Sequence, residues 1–173
     1  MPHPVEHLIR DVPDFPKPGI LFKDLTPLFL DPGGMRRAMT DLADSLSWDG
    51  VDAIAGIEAR GFVLGGYLAA IRDVGLIPIR KAGKLPYETV RETYDLEYGT
   101  DTLEIHRDAC DGKSVLLIDD VLATGGTAAA AARLVEKAGG RVLAAGFLLE
   151  LDFLAGRKAL GTLPIRSLIH VAE

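Results

Sequence analysis

The stretch from Val115 to Thr127, V-L-L-I-D-D-V-L-A-T-G-G-T, constrains the fold more than any other part of the chain. Val115 to Ile118 form a short unbroken apolar run, half of it β-branched, which is the pattern of a strand buried on both faces of a parallel sheet. Two adjacent carboxylates, Asp119 and Asp120, are expected to stop this strand. Small residues, Gly125, Gly126 and Thr127 follow, and then an alanine-rich helical stretch from Ala128 to Ala138. The order strand, acidic pair, glycine turn, helix points several backbone N–H groups and a helix N-terminus at one spot, which suits a phosphate dianion. The glycines let backbone approach the anion closely. Thr124 and Thr127 can donate hydroxyl hydrogen bonds or cap the helix. Two consecutive acids at a buried strand end are costly unless paired or liganded. A buried strand with a plain tight turn leaves that cost without a reason, whereas sugar hydroxyls or a held Mg²⁺ give it one.

At 173 residues the chain is long enough for one domain with a substantial core. Cys110 is its only cysteine, so no intrachain disulfide can form, which fits a reducing compartment. No apolar run is long enough to span a bilayer. The N-terminus M-P-H-P-V-E-H has no basic region followed by an apolar segment, so the expected location is the cytoplasm, with no membrane partner. A net charge of −6 argues against nucleic-acid binding. A small polyanion remains possible where Arg60, Arg80, Lys81 and Lys84 cluster. His3 and His7 have the spacing of a helical metal pair but no third ligand nearby, so a solvated N-terminal helix is the expectation.

Taken in order, Val5 to Arg10 read as the end of a short N-terminal helix. Six of the ten prolines lie before residue 28 and predict a rigid extended path, while Phe15, Ile20, Leu21 and Phe22 give that path apolar surface to pack as a hood. Asp31-Pro32 opens a helix through Met35, Met39, Leu42 and Leu46, with Asp as N-cap and Pro at the first position. Val51 to Ile57 predict a core strand, Phe62 to Arg72 a helix, and Leu76 to Arg80 a strand parallel to the first. Lys81 to Thr93 show no clear period and read as a mobile loop. Two antiparallel flap strands are expected around Leu96–Gly99 and Leu103–His106. After the helix, stopped by Gly139-Gly140, come strands at Val142–Leu149 and Ser167–Val171, with a short helix at Phe153–Leu160 between them. The result is an α/β fold with a mainly parallel sheet, in which ligands bind at the carboxyl ends of the strands. Both charged turns, Glu58 to Gly61 and Asp119 to Thr127, fall at that edge.

Commoner nucleotide motifs do not apply. No two glycines are separated by a single residue, as a dinucleotide fingerprint requires. Gly112-Lys113-Ser114 imitates the tail of a Walker A loop, but position 107 is Arg and the triplet precedes a strand, so it reads as a surface turn.

The Asp119–Thr127 stretch resembles the phosphoribosyl pyrophosphate (PRPP) motif of the type I phosphoribosyltransferases. Further resemblance, over almost the whole chain, narrows this to the adenine phosphoribosyltransferases. It is carried by D-F-P-K-P-G-I-L-F-K-D-L-T-P at Asp14 to Pro27, E-A-R-G-F at Glu58 to Phe62, R-K-A-G-K-L-P at Arg80 to Pro86, L-E-Y-G at Leu96 to Gly99, and L-E-L at Leu149 to Leu151 followed by Gly156-Arg157. The resemblance implies a type I phosphoribosyltransferase fold over residues 1–173, with an N-terminal helix and base-binding hood in 1–34 and a flexible loop and flap in 80–107. It implies transfer of a phosphoribosyl group from PRPP to adenine, giving AMP and pyrophosphate, with Mg²⁺ as cofactor. It also implies a homodimer in which a basic residue can reach the neighbouring site.

By the same resemblance, Asp119 and Asp120 contact the ribose hydroxyls, with either one a possible Mg²⁺ ligand. Ala123, Thr124, Gly125, Gly126 and Thr127 cradle the 5′-phosphate. Glu58, Ala59, Arg60, Arg80, Lys81 and Lys84 serve pyrophosphate, with Arg60 also catalytic. Leu21, Phe22 and Lys23 hold adenine, the first and last through backbone groups, and Glu97 donates a proton toward N7. Two departures matter. Ala82 stands where family members often carry a second basic residue, and the loop centre P-Y-E-T-V differs from a glycine-proline version. Tyr98 is left between lid and core. The rival readings are transfer to another purine such as xanthine, and a PRPP-sensing regulator, which usually needs a DNA-binding module for which this chain has no spare length or basic helix.

Overall fold

The computed structural model describes residues 2–96 and 99–172. In chain order the elements are β1 (Arg10–Pro13), β2 (Leu21–Asp24), α1 (Thr26–Leu30), α2 (Pro32–Ser45), β3 (Ala53–Ile57), α3 (Arg60–Arg72), β4 (Gly75–Lys81), β5 (Thr89–Asp95), β6 (Thr100–His106), β7 (Ser114–Leu122), α4 (Gly126–Lys137), β8 (Arg141–Leu151) and β9 (Ile165–Val171). Among the described residues seven strands form one sheet in the order β5-β6-β4-β3-β7-β8-β9. From β4 to β9 the neighbours run parallel, while β6 joins β4 and β5 antiparallel. β1 and β2 make a separate antiparallel hairpin.

The apolar run predicted to be buried on both faces is so. Val115, Leu116, Leu117 and Ile118 are all fully buried. Alternation along β7 sends Val115 and Leu117 into one core with α4, and Leu116 and Ile118 into the other with α2 and α3. These two cores sandwich the sheet and fix the carboxyl ends of β3 and β7 side by side.

Several expectations are corrected. Asp119 and Asp120 do not stop the strand. β7 continues to Leu122 because its ladder with β8 runs on, pairing Val121 with Leu149 and Leu122 with Glu150. α4 starts at Gly126, two residues earlier than read, after Gly125 at φ +83. The N-terminal helix is a single 3-10 turn, Glu6–Leu8, because Arg10 already belongs to a strand. The extended proline path is a hairpin, with Gly19 N donating to Asp14 Oδ1 at 2.8 Å across its turn. His3 and His7 face apart: His3 Nε2 lies 3.1 Å from Asp41 Oδ2, and His7 Nδ1 lies 2.8 Å from Pro4 O.

The Lys81–Thr93 loop is shorter than read, since β5 begins at Thr89. Its inward positions include Glu92, a charged residue that hides the alternation expected of a half-buried strand. The flap strands are accordingly β5 and β6, with Leu96 and Gly99 between them joined by a 2.9 Å backbone hydrogen bond. Glu97 and Tyr98 lie outside the described residues. The helix read at Phe153–Leu160 is two 3-10 turns, Asp152–Leu154 and Gly156–Leu160, separated by Ala155 at φ 51. The Asp31 cap is as expected: its Oδ1 accepts from Gly34 N at 2.6 Å. Among the described residues no helix is long and apolar enough to cross a membrane.

Candidate active site

A cavity of about 500 Å³ opens at the carboxyl ends of β3 and β7, roofed by the hairpin residues Leu21, Phe22 and Lys23. Its floor is Glu58, Ala59 and Arg60 on one side and Asp119 to Thr127 on the other, with Lys81 at the edge. Arg80 and Lys84 are not in its wall. They stand behind Glu58, which pairs with both.

The 123–127 turn is held by close packing. Gly125 sits at φ +83, where a Cβ would lie 2.2 Å from Gly156 O, so both conformation and space demand glycine. Among the described residues no side chain caps α4, and neither Thr124 nor Thr127 takes that part. Thr127 Oγ1 donates instead to Tyr94 Oη at 3.2 Å. The first-turn N–H groups of α4 therefore face the cavity with the positive end of the helix dipole behind them.

Gly61 lets the start of α3 press against the acidic pair, since a Cβ there would lie 2.9 Å from Ile118 O and 3.0 Å from Asp119 Oδ1. Asp120 N donates to Asp119 Oδ1 at 2.8 Å. Burial and the neighbouring Asp120 charge push the Asp119 carboxyl well above its ordinary range. Arg60 Nε lies 2.5 Å from Asp120 Oδ2, yet among the described residues that buried oxygen receives no aligned hydrogen bond. Carboxylate oxygens with spare accepting capacity suit a pair of hydroxyl donors or a hard cation such as Mg²⁺.

Arg60 also places its guanidinium 5.6 Å from the centroid of Phe22, a cation–π contact that links floor to roof. Phe15 meets Phe22 edge-on at 5.2 Å. Lys23 Nζ is turned away to Asp11 Oδ1, 2.7 Å across the hairpin. At the other end Glu58 accepts from Lys81 N at 2.9 Å and from the Lys84 ammonium. Burial pushes its carboxyl up, but Lys84, the Lys81 N–H and Arg80 outweigh this and hold it below the ordinary value. The Glu58–Ala59 peptide bond is cis.

Two wall residues escaped the sequence reading. Asp101 pairs with Lys81 Nζ at 3.0 Å and raises its pKa, and Tyr94 reaches the turn from β5. Alternation in T-V-R-E-T-Y-D puts Tyr94 on the same side as Glu92 and is the one signal that could have found it.

Comparison with known proteins gives this geometry a family. A model of the phosphoribosyl transferase domain matches residues 33–158. The adenine phosphoribosyltransferase of Solibacter usitatus is 55% identical over 167 residues, covering 96% of each chain. This chain belongs to the adenine phosphoribosyltransferase family. The adenine phosphoribosyltransferase structure from Thermoanaerobacter pseudethanolicus matches with a TM-score of 0.93 at 50% identity, covering 96% of this chain and 98% of that one. That from Saccharomyces cerevisiae, solved with adenine and an imino-altritol bisphosphate, matches with a TM-score of 0.89 at 41% identity, covering 95% and 96%. The general domain match begins at residue 33, beyond the β1–β2 hairpin, whereas the likeness to adenine phosphoribosyltransferases extends over nearly the whole chain.

Proposed function

We propose that this protein transfers the 5-phosphoribosyl group of PRPP to adenine, releasing pyrophosphate and forming AMP in purine salvage. The observation that carries this reading is the meeting, in one cavity, of an aromatic hood, an acidic pair and a glycine turn at a helix N-terminus. Each part suits a different piece of the substrates.

The 123–127 turn and the N–H groups of α4 take the 5′-phosphate. Asp119 and Asp120 accept from the ribose hydroxyls, and Asp119, biased toward its neutral form by burial and by its neighbour, can hold one proton at a carboxyl oxygen. Phe22 stacks on the base, and the backbone of Leu21 and Lys23 reads its edge. Loss of pyrophosphate leaves an oxocarbenium-like ribose C1, which adenine N9 attacks. Arg60, whose planar fork suits phosphate oxygens, exchanges Asp120 for the leaving pyrophosphate. Glu58 and Ala59 border the same place, while Arg80, Lys81 and Lys84 add positive charge behind it. Glu97 donates a hydrogen bond to N7 as N9 gives up its proton to solvent and becomes nucleophilic. The oxygen donors of Asp119 and Asp120 fit Mg²⁺, which when bound with the substrate neutralises charge on the leaving group.

The protein works as a homodimer, a reading supported by an apolar stripe on α3. Val63, Ala70 and Ile71 are exposed there, with Tyr67 half-buried between them. Turnover with PRPP, Mg²⁺ and adenine, hypoxanthine, guanine or xanthine, followed by pyrophosphate release, tests the reaction. Adenine is expected to be preferred by about 10⁴-fold, because a site paired to the 6-amino group leaves buried polar groups unpaired against a 6-oxo purine. Use of any 6-oxo purine within about tenfold of adenine overturns adenine specificity.

A further inference from the structure

L-E-L and Gly156-Arg157 have so far no part in the chemistry, and the structure brings them together behind the 123–125 turn. Glu150 lies opposite Leu122, the last residue of β7, and is 3% exposed. Arg157 meets it with a two-pronged contact, Nε to Oε1 and Nη2 to Oε2, both at 2.7 Å. Burial drives the Glu150 carboxyl up, but the Arg157 guanidinium outweighs it and keeps the group ionised.

What Arg157 holds in place is the backbone just before it. A Cβ on Gly156 would lie 2.2 Å from Ala123 O and 3.1 Å from Gly125 N, and a Cβ on Gly125 would lie 2.2 Å from Gly156 O and 2.9 Å from Ala159 Cβ. The two backbones are thus in contact from both sides, so a shift of the Gly156 turn is passed to the phosphate turn. We propose that Glu150 and Arg157 are positioning residues: their paired fork fixes the Gly156 wall, and that wall sets the shape of the 123–125 turn that binds the 5′-phosphate. This rests on the phosphoribosyl reading above. The fork, more than the charge, performs the task, because a lysine at 157 would keep an ion pair but not two parallel hydrogen bonds.

The test uses the full-length parent and the variants Arg157→Lys, Glu150→Gln and Gly156→Ala, the last driving a methyl against Ala123 O without touching the ion pair. Steady-state kinetics give KM for PRPP and for adenine, and calorimetric titration gives Kd for AMP and for pyrophosphate. The ligands that carry a 5′-phosphate, PRPP and AMP, are expected to lose about 10- to 100-fold in each variant, with adenine KM and pyrophosphate Kd changed by less than about threefold. Circular dichroism melts identify the folded variants: Arg157→Lys or Glu150→Gln tests the fork, and Gly156→Ala tests the wall. Unchanged PRPP and AMP affinity in a folded variant, or equal weakening of AMP and pyrophosphate, overturns the positioning role while a parent that binds both keeps the phosphoribosyl reading. A parent that binds neither PRPP nor AMP overturns both.

Discussion

Asp119 is asked to do two things that conflict in the free protein. It must sit beside Asp120 to receive ligand, and that proximity, with burial, raises its pKa well above 3.8. A group whose folded pKa is raised contributes its full stability below the unfolded value and loses it as pH rises through the folded one. At neutral pH the buried Asp119 carboxyl therefore costs stability. Asp119→Asn keeps an oxygen for the Asp120 N–H and removes the charge, so it is expected to raise Tm by about 2–4 °C at pH 7. The gain should vanish toward pH 4, while PRPP affinity falls. Calorimetric melts across pH check this, and a gain that persists in acid would sink the explanation. Glu97 rests on the family resemblance alone, its place in the chain being the link between β5 and β6. Glu97→Ala is expected to lower kcat by about 10² to 10⁴, with Glu97→Gln less impaired because it still donates. Single-turnover rates equal to the parent's would reduce Glu97 to a surface residue.

Among the elements, the β5–β6 hairpin is tied to α4 by the Thr127–Tyr94 contact and, further along the helix, by the Glu92 carboxylate. Glu92 accepts from Arg133 Nε at 2.7 Å and pairs with Lys137, whose Nζ also reaches Arg91 O at 3.4 Å. Lys137 first, and Arg133 after it, hold the Glu92 carboxyl below its ordinary 4.5. A depressed carboxylate pKa gives stability that is present above the unfolded value and lost as pH falls through the folded one. Glu92→Gln should therefore cost about 1 kcal/mol at pH 7, and the gap to the parent should close below about pH 4. Urea midpoints at both pH values measure it, and a gap independent of pH would remove the ionic origin. The same residue shows where sequence reading fails. β3, β7 and α4 were legible because β3 and the Val115–Ile118 run are fully buried and α4 buries one regular apolar face. β5 was not, because its inward Glu92 is stabilised by residues some forty positions away, and no local pattern contains that information. The cavity was legible for a different reason: strand-to-helix turns in a parallel sheet share one edge, so Glu58–Arg60 and Asp119–Thr127 had to meet. Tyr94 joined them through the faint alternation of β5, and Asp101 through its pairing with Tyr94 in the antiparallel edge, which no motif recorded.

At the scale of the whole molecule, α2 and α3 share one face of the sheet, and α3 keeps an outward apolar side that neither core takes up. Val63 and Ile71 are each 48% exposed and lie two helical turns apart, with Leu76 beyond them 39% exposed. Scattered exposed apolar residues need no explanation, but a stripe along one helix is the kind of surface that a partner covers. A second copy is the partner that the family resemblance implies, and a two-fold contact would set this stripe against itself. Charge placed there should break such a contact without harming the interior, because neither Val63 nor Ile71 belongs to a core. The expectation is that the parent runs at twice the chain's mass in light scattering, and that Val63→Asp combined with Ile71→Asp runs at the mass of one chain with an unchanged circular dichroism spectrum. Arg60 opens the same helix, so separation of the copies should also lower turnover by loosening the start of α3. A parent that stays at one chain's mass across the concentrations used for catalysis removes the dimer. A double variant that stays at twice that mass places the contact elsewhere than on α3.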